Sequence, residues 1–178
     1  EIKPTGNALD VAINGTGFLE VTMADGSRAF SRGGSLKVNS EGLLVTAEGQ
    51  PLKPGITIPP NAQSITISPT GQVKVLVAGQ STPIEVGQLE MVRFGNPSSL
   101  QALGNGLYRA SEGSGEAIAA RPGQDDSGTI VQGSVEASNV KMVDEMVGLM
   151  LAQRAYEASV KVAQAADEML GMVNNLRK

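Results

Sequence analysis

Apolar positions along this chain follow two different periods. Before residue 134 they come in short runs cut by Gly and Pro; from Ser138 to Lys178 they recur at helical spacing without a proline. From Leu151 two series repeat every seven residues: Leu151, Ala158, Ala165, Met172, and Ala155, Val162, Met169, Leu176. Steps of four and three alternate between them, which is the seam of a coiled coil. Val143, Val147 and Met150 continue an apolar face upstream, where Asp144 and Gly148 break the strict heptad. Ser138 or Asn139 is suited to cap the helix start. Asp144 and Glu145 suit the positive end of the dipole, and Arg177 and Lys178 the negative end. Three of the eight seam positions are Ala, so another backbone can come close, but each Ala buries little area on one shallow surface. The seam fits better wedged between several helices, and the expectation is that it stays exposed in a monomer or is buried against another copy.

The earlier part reads as short antiparallel strands. Leu9–Ile13 and Phe18–Met23 flank Asn14-Gly15-Thr16-Gly17, and Arg28–Ser31 follows a turn at Asp25-Gly26. Leu36–Val38 and Leu43–Thr46 flank Asn39–Gly42. Ile56–Ile58, between prolines, is expected as an edge strand. Ser64–Ser68 and Gln72–Val77 form a hairpin over Pro69-Thr70-Gly71, and Ile84–Phe94 has strand character. Tyr108–Ser111 is expected as the last strand, and Glu112–Thr129 as a Gly-rich polar loop. The fold class predicted is mainly β, an antiparallel meander, sandwich-like or barrel-like, followed by one long C-terminal α-helix. The expected divisions are a tail at 1–7, a β-rich domain at 8–111 able to fold alone, a flexible linker at 112–129, and a strand-like joint with the helix at 130–178.

Composition removes several functions. The 178 residues include no Cys and no His. Disulfides, thiolate chemistry, Cys/His zinc sites and His-based triads are thereby ruled out. Net charge is −4 with both signs interspersed, which argues against nucleic-acid binding. No run is long and apolar enough to span a membrane as a helix. The core must be aliphatic, because aromatics are 3%.

Candidate chemistry is thin. Gly15-Thr-Gly17 lacks the third glycine of a dinucleotide fingerprint, since Glu20 stands there. Asp25-Gly-Ser has no calcium-ligand ladder after it. Asp125-Asp126 reads as exposed loop acids, and paired carboxylates for glycoside hydrolysis are not indicated. No catalytic, cofactor or metal residue is assigned.

Some segments carry a resemblance. Leu9-Asp-Val-Ala-Ile-Asn-Gly-Thr-Gly-Phe18, Asp25-Gly-Ser and Phe30–Leu36 resemble the shared β-domain of bacterial flagellar rod and hook proteins. Val135–Val140, containing Ser138, Asn139 and Val140, then Glu145-Met-Val147 and Gln153-Arg154-Ala155-Tyr156-Glu157, are similar to that family's C-terminal motif. Ile56–Ile67 and the stretch Gly87–Pro97 are most like the distal-rod members, with proximal-rod and hook paralogues as the alternative.

The resemblance implies a structural subunit that self-assembles into a hollow helical driveshaft carrying torque from motor to hook. It implies partners in other copies, neighbouring rod and hook subunits and the surrounding basal-body rings. It also implies a periplasmic place in the basal body, reached through the flagellar export channel without a cleaved signal peptide. Family members carry an N-terminal helix that pairs with the C-terminal one; this chain begins at the β-domain, so the seam is expected to lack that partner here. The competing readings are a stand-alone binding or adhesion module, told apart by a specific soluble ligand, and a carboxylate hydrolase acting on peptidoglycan, told apart by turnover.

Overall fold

A computed structural model describes residues 1–137 and 142–177, with side chains throughout except those of 142–145. The strands are β1 (Ile2–Pro4), β2 (Asp10–Asn14), β3 (Phe18–Thr22), β4 (Arg28–Ser31), β5 (Gly33–Val38), β6 (Leu44–Thr46), β7 (Leu52–Lys53) and β8 (Ala62–Ile67). They continue with β9 (Gln72–Val77), β10 (Ile84–Gln88), β11 (Met91–Arg93), β12 (Gln101–Gly104), β13 (Leu107–Arg109), β14 (Ile118–Ala120), β15 (Thr129–Gln132) and β16 (Ser134–Glu136). The α-helix α1 runs Met142–Leu176. The chain divides into two compact units, Glu1–Ala137 and Ser138–Lys178.

The β unit holds four sheets. One is seven-stranded, with the path β12, β13, β4, β3, β11, β14 and β7 paired beside β3. A second has the order β15, β2, β5, β6; a third β10, β9, β8; the fourth is the ribbon β1, β16. Every strand pair is antiparallel, as predicted for a chain whose strands are joined by short turns.

Two clusters fill the interior. The larger is aliphatic and includes Val11, Ile13, Leu19, Val21, Leu44, Ile56, Leu89, Met91 and Ile130. Burying each such side chain contributes about 1.5–3 kcal/mol. The smaller gathers Phe18, Phe30 and Phe94, with Tyr108 packed against them. Their rings meet edge to face, Phe30 and Phe94 with centroids 4.8 Å apart and Phe18 and Phe94 5.6 Å apart, the arrangement that the ring quadrupole favours.

Strand β2 departs from simple alternation. Asp10 through Ile13 are all buried, so both faces of β2, and not one alone, are covered. Asp10 tolerates burial because Thr5 Oγ1 donates to it at 2.6 Å and Asn7 Nδ2 at 3.0 Å.

Several sequence expectations are corrected. Ile56–Ile58 is not an edge strand. It forms an isolated bridge, Leu43 to Thr57, and buries both isoleucines beneath the surface. The stretch Ile84–Phe94 holds two strands in different sheets, parted at Leu89, whose N–H donates to the Gly71 carbonyl at 2.7 Å. The region around residue 108 is a hairpin, β12 to β13, over Asn105-Gly106, whose φ angles of 53° and 72° suit a two-residue turn.

Residues 112–129 are not only a loop. They contain β14, which pairs with β11, and Ser114 and Ser127 within them are buried. Residues 1–7 are not only a tail, since β1 pairs with β16. The β unit therefore extends beyond 8–111 at both ends, closed by strands distant in sequence.

Candidate assembly surfaces

Helix α1 contains all eight residues expected to form a seam. Leu151, Ala155, Ala158, Val162, Ala165, Met169, Met172 and Leu176 lie at alternating four- and three-residue steps on one continuous helix, so they share a face. On the helix itself Leu151 is 63% exposed, Val162 70% and Met169 62%. Ser138, Asn139 and Val140, with the expected N-cap, lie outside the described residues, as does Lys178.

The single seam is not the whole pattern. Leu149, Ala152, Tyr156, Ser159, Ala163, Ala166, Leu170 and Val173 form a second series at the same spacing. At 100° per residue the two series together cover roughly 200° of the helix surface. Ser159 weakens its own polarity there by donating from Oγ to the Ala155 carbonyl at 3.0 Å. Gln153, Arg154 and Glu157 of the C-terminal motif fall on the remaining polar stripe, whereas Tyr156 belongs to the second apolar series. The signal is present in the sequence as a second heptad frame, displaced from the first.

In the β unit the conspicuous polar features are structural. Arg32 donates from Nη1 to the Gly17 carbonyl at 2.5 Å, from Nη2 to the Ile13 carbonyl at 3.1 Å and from Nε to Glu136 at 2.9 Å. Its guanidinium also lies over the Phe18 ring, 5.3 Å from the centroid. Glu20 is almost enclosed and accepts from Arg28 at 2.7 and 2.9 Å and from Lys53 at 3.2 Å. The Arg28 guanidinium, and after it the Lys53 ammonium, hold the Glu20 carboxyl below its ordinary range. The Thr5 hydroxyl does the same for Asp10.

The weighed motifs resolve as turns. Asp25 accepts from the Ser27 N–H at 2.8 Å and from its hydroxyl at 2.5 Å, closing a hairpin turn. Asp125 and Asp126 adopt left-handed backbone, φ 54° and 53°, in the loop before β15. Gly15 and Gly17 sit where the 127–128 backbone crosses the β2–β3 turn. Among the described residues, no group of three or more acidic side chains could hold a metal ion. No described helix is long and apolar enough to cross a membrane. A groove of about 730 Å³, lined in part by Leu9, Val38, Ile58, Pro59 and Ile65, carries Glu41 as its one charged residue.

The chain thus combines a β unit braced by internal ion pairs with a long helix apolar along two series. Comparison with known proteins assigns the class. Residues 12–75 match the family model described as the flagellar hook protein FlgE/F/G D1 domain, and residues 131–176 that of the flagellar basal body rod FlgEFG protein C-terminal region. The flagellar basal-body rod protein FlgG of Borreliella burgdorferi is 43% identical over 180 residues, covering 100% of this chain and 68% of that protein. FlgG of Buchnera aphidicola subsp. Schizaphis graminum is 41% identical, covering 98% of this chain and 67% of its own length. FlgG of Caulobacter vibrioides is 42% identical over 97% of this chain and 66% of its own length. The chain belongs to the flagellar rod and hook protein family, on the side of the FlgG rod proteins. It spans about two thirds of the length of these relatives.

Proposed function

We propose that this chain is a structural subunit of the distal rod of the bacterial flagellum. Copies assemble into a hollow helical driveshaft that carries torque from motor to hook. The observation that carries this reading is the coincidence of the family match at both ends with a long helix that is apolar along two heptad series. A helix with one seam suits one partner; two seams suit a place between neighbours in a wall of helices. Such contacts are heterologous and do not close, which builds a filament.

The division of work follows. Helices near the axis resist axial load, with the polar stripe of Gln153, Arg154 and Glu157 turned to water. The β units form the outer wall and meet neighbouring rod and hook subunits and the surrounding basal-body rings. The place of work is the periplasm, reached through the flagellar export channel without a cleaved signal. The role is mechanical, and no residue is given a catalytic part in it.

The test is a chimera. Caulobacter vibrioides FlgG carrying this chain in place of its matching region is expressed in cells lacking their own FlgG. Restored swimming with complete rods in isolated basal bodies is expected. An exported chimera that yields no rod beyond the point reached without FlgG would overturn the reading.

A further inference from the structure

The large sheet of the β unit ends on two short strands that carry neither charge nor proline, two of the devices that blunt natural edges. Natural edge strands are blunted by charge, proline, bulges or shortness, because an unpaired row of N–H and C=O groups templates pairing with another chain; these two edges rely on shortness and, in β12, a bulge. Strand β12 reads Gln-Ala-Leu-Gly and β14 reads Ile-Ala-Ala, without a charge or a proline in either. The bulge between Ala102 and Gly104 adds twist to β12 but no charge. Among the described residues, hydrogen bonds to these strands come from β13 and β11 alone, on their inner sides.

Each edge also presents an apolar side chain to water. Among the described residues of the β unit, the exposed large apolar side chains are Val38, Ile84, Leu103 and Ile118. Two of these four fall on the two edges, Leu103 on β12 at 37% exposure and Ile118 on β14 at 47%.

Topology makes the two edges complementary. The path β12, β13, β4, β3, β11, β14 has six strands, each antiparallel to the next. With an even number of strands, β12 and β14 point in opposite directions. A second copy set beside the first in the same orientation therefore brings its β12 antiparallel to β14 of the first. The alternation continues across the junction without a break. The contact joins two different surfaces, so it repeats without closing.

We propose that β14 of one copy pairs antiparallel with β12 of the next, extending the sheet from subunit to subunit with Leu103 and Ile118 at the junction. The occupant is a second copy of this chain because both edges belong to it and their directions match. The inference rests on the reading that copies associate in an open array, and it names the outer contact of that array.

The chain has no cysteine, so pairs introduced for cross-linking report without background. Leu103→Cys and Ile118→Cys are made separately and together in the full chain, and treated with a short bifunctional maleimide at concentrations where light scattering shows association. Mixing the two single variants is expected to yield a covalent dimer, the double variant a ladder, and each single variant alone only monomer. Ala102→Lys in the double variant is expected to lower the ladder yield about fivefold by placing charge on the edge. Should either replacement disturb folding, seen by circular dichroism, the exposed pair Ala102→Cys and Ala119→Cys serves instead. Association without cross-linking of the mixture overturns the edge pairing but leaves the rod reading standing. Equal cross-linking of single variants alone overturns it in favour of a two-fold contact. Absence of association at every concentration counts against both.

Discussion

Arg32 and Glu136, 104 residues apart, are joined by a 2.9 Å ion pair. The contact ties the corner between β4 and β5 to β16, the last strand before the helical unit. Glu136 is part-exposed, so the ion pair alone is worth little. The two carbonyls that Arg32 also serves, of Gly17 and Ile13, would lose a charged donor on its removal. Arg32→Ala should cost about 2–3 kcal/mol, read as a lower urea midpoint. Arg32→Lys should recover only part of it, because one ammonium cannot span three acceptors and the Phe18 ring. An unchanged midpoint for Arg32→Ala would show that the corner is held by packing alone.

Acid should destabilise the β unit. Asp10 and Glu20 titrate below their ordinary range in the folded state, Asp10 because of the Thr5 hydroxyl and Glu20 because of the Arg28 guanidinium. The unfolded chain therefore binds more protons at low pH. The stabilisation is complete above the ordinary carboxylate range near pH 4 and is lost as pH falls through the folded values. Urea midpoints should be flat from pH 7 to about 5 and fall below about 4. The double variant Asp10→Asn, Glu20→Gln should begin less stable and lose less on acidification. A parallel acid profile for variant and parent would assign the effect to other groups.

Gly128 and Gly26 make a matched pair of tests. Both have left-handed φ, +89° and +80°. A Cβ on Gly128 would stand 2.2 Å from the Asn14 carbonyl oxygen and 2.6 Å from Gly15 Cα, whereas one on Gly26 meets nothing within 4 Å. Gly26→Ala should therefore cost only the backbone term, about 1–2 kcal/mol. Gly128→Ala must also part β15 from the β2–β3 turn, and should cost more than 3 kcal/mol, at about the upper end for point changes. Equal thermal shifts would contradict the close approach.

The autonomous β unit should be 1–137. A fragment 8–111 loses β1, β14, β15 and β16, and with them the β15 partner of β2 and the buried Ile130. The longer fragment should show a strand spectrum by circular dichroism and a cooperative melt; the shorter should show neither. A cooperative melt of 8–111 would mean that the closing strands are dispensable.

Both helix series should matter to assembly. Ala158→Glu and Ala165→Glu on the first, and Ala163→Glu on the second, should each prevent sedimentable assemblies while leaving the β-unit melt unchanged. Gln164→Glu on the polar stripe should have little effect. Normal assembly of Ala163→Glu would restrict the interface to the first seam.

Much of the local structure is legible in the chain itself. Asn-Gly and Asp-Gly pairs between short apolar runs mark hairpins because only such residues accept the turn's positive φ. The helix is legible because a heptad spacing over eight seam positions, free of proline, satisfies no other backbone geometry. A chain without His or Cys is closed to whole classes of chemistry by composition alone. Less legible is the second helix series, since Ser159 and its alanines dilute the apolar signal.

Pairing between distant segments carries no local mark. Ile118-Ala-Ala120 is three residues in a Gly-rich stretch, and only the exposed flank of β11 makes it a strand. Residues 2–4 are ordered by β16, whose residues 134–136 lie far along the chain. Ile56 and Ile58 are buried without joining a ladder because neighbouring sheets converge over them, not because of any alternation of their own. The sequence by itself thus determined the hairpins, the helix and its heptad frames, which depend on neighbours within a few residues. Tertiary structure alone decided which strands close the sheets, which edges stay open, and that Arg32 reaches Glu136, because those depend on where the chain returns in space.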